Sequence, residues 1–75
     1  MTDVLIDVVE PGRAFVRAAG FEGWIGREGR RFYIEDSDTE ELIGYASSYT
    51  AAARTFARHH GIADPQVEID YEYRH

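Results

Sequence analysis

The sequence predicts an α+β fold, a single domain over residues 1–75 with a mainly antiparallel, four- to five-stranded sheet and helix packed on one face. Two observations predict it. Between Glu41 and Gly61 an alternating strand pattern gives way abruptly to the three-and-four apolar spacing of a helix. The rest of the chain is short apolar runs separated by Gly, Pro and Asp, which reads as sheet arranged to bury that helix. At 75 residues the chain is near the size at which one core barely suffices, so most large apolar side chains are needed inside.

Taken in order, Val4 to Val9 is β-branched and apolar and reads as an inner strand, with Val4, Ile6 and Val8 on one face. The segment from Pro11 to Gly20 has two readings. As a short helix it has Pro11 at its start, Gly20 past its end, and Arg13 and Arg17 stacked at i, i+4. As the second arm of a hairpin it would use Pro11-Gly12 as a type II turn. Its alanine content favours the helix.

Gly23 to Arg27 and Arg31 to Glu35 flank Glu28-Gly29-Arg30 and form the clearest hairpin signal, with Ile25, Phe32 and Ile34 as core. A polar turn from Asp36 to Thr39 leads into a strand over Leu42 to Ala46, completing a three-stranded meander. From Tyr49 a helix presents Tyr49, Ala53, Phe56 and Ala57 to the sheet, with Ser48 as its cap and Gly61 closing it. After Asp64-Pro65, the segment Gln66 to Tyr73 alternates strictly, with Val67, Ile69, Tyr71 and Tyr73 inward and Glu68, Asp70 and Glu72 outward. The expected order is β-α-β-β-β-α-β.

Fourteen acids face eight bases, all of them Arg, for a formal charge of −6. That balance disfavours anionic partners and suits a basic one. There is no cysteine, which removes disulfides, thiolate metal sites and a cysteine nucleophile and fits a reducing cytoplasm. The N-terminal apolar run is short and flanked by acids, unlike a signal peptide, and no run is long enough to span a bilayer. The expectation is a soluble cytoplasmic protein.

His59-His60, with His75 or Glu68, invites a metal reading, and Ser47, Ser48 and Thr50 nearby invite a hydrolase one. Adjacent helical residues diverge by about 100°, which disfavours joint chelation. The serines are explained by capping, and no nucleophile elbow is present. The expectation is therefore no catalytic residue, no cofactor and no metal. Glycines 20, 23, 26 and 29 lack the strand-to-helix setting of a phosphate loop.

Two surfaces remain. Glu68, Asp70 and Glu72 form a line of carboxylates roughly 6.7 Å apart along the last strand, and Glu35, Asp36, Asp38, Glu40 and Glu41 gather around one turn. Such lines are commonly only the wet face of an edge strand. They also serve to imitate a phosphate backbone. The other surface is the Arg and aromatic hairpin with Trp24, Arg27, Arg30, Arg31 and Tyr33, within residues 11–31 that hold five Arg against two Glu.

From Gly23 to Gly61, the meander followed by a helix is similar in element order to the arm-binding domains of phage integrases and to part of HicB-like antitoxins. The whole profile, a short, acidic, cysteine-free and lysine-free domain with aromatic and carboxylate faces, resembles phage-encoded inhibitors of the anti-CRISPR kind. That resemblance is of type and carries no site residue over. It implies a non-enzymatic protein that occludes a basic nucleic-acid-binding partner such as a Cas subunit; the sequence does not decide between monomer and homodimer. The alternatives are a small DNA- or RNA-binding module using the hairpin and an antitoxin-like interaction domain.

Overall fold

A computed structural model describes residues 3–72 and contains one six-stranded mixed sheet and one helix. Five strands run as an antiparallel meander: β1 (Val4–Glu10), β2 (Arg13–Ala18), β3 (Phe21–Glu28), β4 (Arg31–Asp36) and β5 (Leu42–Ala46). The helix α1 (Tyr49–His59) then crosses the sheet, and β6 (Val67–Tyr71) returns beside β1, parallel to it. The strand order is β5-β4-β3-β2-β1-β6. Tyr73 and His75 lie outside the described residues.

The α+β class holds, with two corrections. The sheet has six strands of mixed direction, not four to five antiparallel ones, and there is one helix, because residues 13–18 are a strand. The physical reason is that two-residue alternation outweighs alanine propensity here. Ala14, Val16 and Ala18 are buried, whereas Arg13, Phe15 and Arg17 point to the other face. Gly12 takes φ +83°, which suits the third position of the Pro11-Gly12 type II turn, and a bulge between Val8 and Glu10 accommodates it. The parallel pairing of β6 follows from the crossover, since a chain leaving β5 at one edge traverses the whole sheet before it pairs again.

The core lies between α1 and one sheet face. Val4, Ile6, Val8, Val16, Ile25, Ile34 and Phe56 are fully buried, joined by Ala52, Ala53 and Ala57, whose small side chains let the helix sit close. Phe32, Ile43, Tyr49, Val67 and Ile69 pack around its margin. Tyr71, expected as an anchor of β6, stands at the strand end and is half exposed.

The helix boundaries follow the expected chemistry. Ser48 Oγ accepts from the Ala51 N–H at 3.1 Å. At the other end Gly61, at φ +92°, donates to the Arg58 carbonyl, and Ile62 donates to that of Ala57, the paired bonds of a Schellman closure. The β3–β4 connection is shorter than expected, with Glu28 and Arg31 paired across Gly29-Arg30 and Gly29 at φ +66°.

Candidate functional site

The sheet face opposite α1 is covered by no other element of the described chain, and cross-strand register fixes what it displays. One row crosses all six strands, reading Leu42, Glu35, Trp24, Phe15, Asp7 and Asp70 from β5 to β6. A flanking row reads Tyr45, Tyr33, Gly26 and Arg13, and the row on the other side reads Glu22, Arg17, Leu5 and Glu68. Cross-strand partners share a face, so these side chains form one surface.

Its centre is aromatic. Phe15 and Trp24 meet edge to face with centroids 4.9 Å apart. The Arg13 guanidinium lies 4.7 Å from the Trp24 ring, that of Arg31 3.8 Å from Tyr45, and Arg17 pairs with Glu22 at 3.3 Å. Tyr33 lies directly over Gly26, in space that a Cβ there would fill. At the β1–β6 margin Asp7 and Asp70 are register partners, about 4.8 Å apart, and among the described residues neither has an ion-pair partner. Glu68 is one row away on the same face.

The expected sites divide accordingly. Trp24, Arg31 and Tyr33 share the uncovered face, Arg27 falls on the opposite parity of β3, and Arg30 sits in the turn. Glu68, Asp70 and Glu72 lie at the β6 edge. Asp38, Glu40 and Glu41 belong to the β4–β5 connection, four or five strand spacings away, about 20 to 24 Å. Asp38, Glu40 and Glu41 therefore stand apart from the β6 acids, whereas Glu35 shares the uncovered face and the row of Asp70. Asp36 leaves the set, since it is buried on the helix side of the sheet. Arg13, Phe15, Arg17, Asp7 and Tyr45 were missed. The signal for the first three was the alternation that reading residues 11–20 as helix obscured.

A second cluster lies on the helix side, where α1 ends against the β4–β5 turn. Asp36 Oδ1 accepts from the Asp38 N–H at 2.9 Å and the Thr39 N–H at 3.3 Å, and its Oδ2 lies 3.0 Å from His60 Nε2. The Asp38 amide is the main cause holding the Asp36 carboxyl below its ordinary pKa; burial opposes it, and the Thr39 amide and His60 assist. His60 stacks on Phe21 at 3.9 Å and meets Phe56 edge-on at 4.7 Å. His59 is exposed, with its ring 5.0 Å from that of His60. The expected divergence of the two histidines is reduced because His60 has already left the helix, at φ −99° and ψ 17°.

Glu68, weighed with these histidines, is on β6, away from the cluster. Ser48 caps the opposite end of an 11-residue helix, about 16 Å from them. No helix among the described residues is long and apolar enough to cross a membrane.

Fold and surface together define a small α+β domain with one helix-covered and one uncovered sheet face. No family model, curated protein or solved structure matches the chain.

Proposed function

We propose that the chain is a non-enzymatic protein-binding module that docks through its uncovered sheet face onto a basic nucleic-acid-binding protein and blocks it, in the manner of phage-encoded inhibitors of the anti-CRISPR kind. The observation that carries this reading is the row in which the Phe15–Trp24 pair runs directly into the Asp7–Asp70 carboxylates. Trp, Tyr, Phe and Arg are the residues enriched in the cores of protein interfaces. Two carboxylates held side by side repel each other, and a lysine or arginine supplied from outside relieves that repulsion. The net charge of −6 steers a basic partner from a distance. In this reading Glu68 and Glu72 extend the acidic margin, and the acids of the β4–β5 turn act only through the long-range field.

A second reading, single-stranded nucleic acid stacked on Trp24 and Tyr33, is favoured by their place on an open sheet. Against it, the Arg13 guanidinium already lies over the Trp24 ring, where a base would have to stack, and the Tyr33 ring lies against Gly26.

The test is affinity capture from a host lysate alongside anisotropy titration of labelled single-stranded DNA and RNA. The proposal expects captured basic nucleic-acid-binding proteins that are released by salt and lost in both the Glu68→Lys/Asp70→Lys/Glu72→Lys and the Trp24→Ala variants. Tight, Trp24-dependent oligonucleotide binding, or capture indifferent to both variants, would overturn it.

A further inference from the structure

We propose that Asp36, His59 and His60 form a site for one divalent transition-metal ion of the zinc class, independent of the uncovered face. One ligand atom from each of the three lies within 4.8 Å of the other two. Two imidazole nitrogens and one carboxylate oxygen are the donor set that zinc accepts, with a fourth position left to water.

The contact between His60 and Asp36 carries the argument further. His60 Nε2 is buried and lies 3.0 Å from Asp36 Oδ2, close enough to pair with it directly. That separation is also near the one two ligands of a single ion adopt: with zinc bonds of about 2.0 to 2.2 Å in tetrahedral geometry, neighbouring ligand atoms are about 3.3 Å apart.

The surroundings fix the ligands as a metal site requires. The amides of Asp38 and Thr39 hold Oδ1 and leave Oδ2 facing His60. Phe21 and Phe56 clamp the His60 ring. His59, exposed at the last helical residue, closes onto the ion by side-chain rotation. The ion would pin the C-terminal end of α1 to the β4–β5 turn, so binding appears as added stability.

The experiment is calorimetric titration of the whole chain with zinc chloride, paired with cobalt(II) absorption spectra and melting curves. The expected result is one ion per chain, a tetrahedral-type cobalt spectrum and a raised Tm. His59→Ala, at an exposed position, is expected to keep the fold by circular dichroism and to weaken binding about tenfold or more. His60→Ala is expected to abolish the cobalt spectrum. Absence of zinc binding, or binding unchanged in His59→Ala, overturns the proposal.

Discussion

The Phe56 ring packs so closely on Gly23 that a Cβ at residue 23 would stand 2.6 Å from Phe56 Cε1 and 2.5 Å from the Glu35 carbonyl oxygen. The helix is seated on β3 at this point because the strand has no side chain there. Phe56→Ala is expected to cost about 3 to 5 kcal/mol, a large part of the stability of so small a domain. Gly23→Ala is expected to cost about 1 to 3 kcal/mol by overpacking. In the Phe56→Ala background that second cost should shrink but persist, since the Glu35 carbonyl still obstructs the new methyl group. Urea midpoints of the four proteins measure the cycle.

Tyr49 Oη accepts the Gly12 N–H at 3.0 Å, linking the first residue of α1 to the β1–β2 turn. Tyr49→Phe keeps the ring, including its packing on Phe32, and leaves that amide without its acceptor. A loss of about 1 to 2 kcal/mol is expected, read as a lowered urea midpoint with unchanged slope.

Much of the fold was legible because its signals are local. The alternation of Val4, Ile6 and Val8, the turn at Gly29 and the Ser48-to-Gly61 helix needed no distant information. The segment after Pro11 was misjudged because Ala14 and Ala18 look like helix formers. Both are buried on the sheet face that packs into the core, a tertiary setting that propensity does not carry. The acidic row on β6 was legible, but the pairing of Asp70 with Asp7 required the parallel register, which no local pattern encodes. Asp36 read as a surface acid within a run of acids, and its place beside His60 depends on where the helix ends.

Asp36 is also expected to contribute to acid unfolding. Its carboxyl is held below the ordinary value of 3.8, chiefly by the Asp38 amide. The ionised form is thus favoured in the native state, and this contribution is fully present above the unfolded value and lost as pH falls through the lower native one. Melting temperatures followed from about pH 5 to pH 2 in the presence of EDTA are expected to fall less steeply for Asp36→Asn than for the parent protein. Parallel curves would separate Asp36 from acid unfolding.

Trp24 is the one tryptophan of the chain and stands at the centre of the uncovered face, so its fluorescence reports directly on whatever docks there. The decisive measurement is Trp24 emission during titration with a captured basic partner that has been exchanged for tryptophan-free or fluorotryptophan-labelled protein, with single-stranded oligonucleotide in a parallel titration. A saturable shift with the protein, weakened by salt and by reversal of Glu68, Asp70 and Glu72, and no response to the oligonucleotide, is the predicted result. Unchanged Trp24 emission at full occupancy by the partner, or saturable quenching by the oligonucleotide alone, would contradict the assignment of this face.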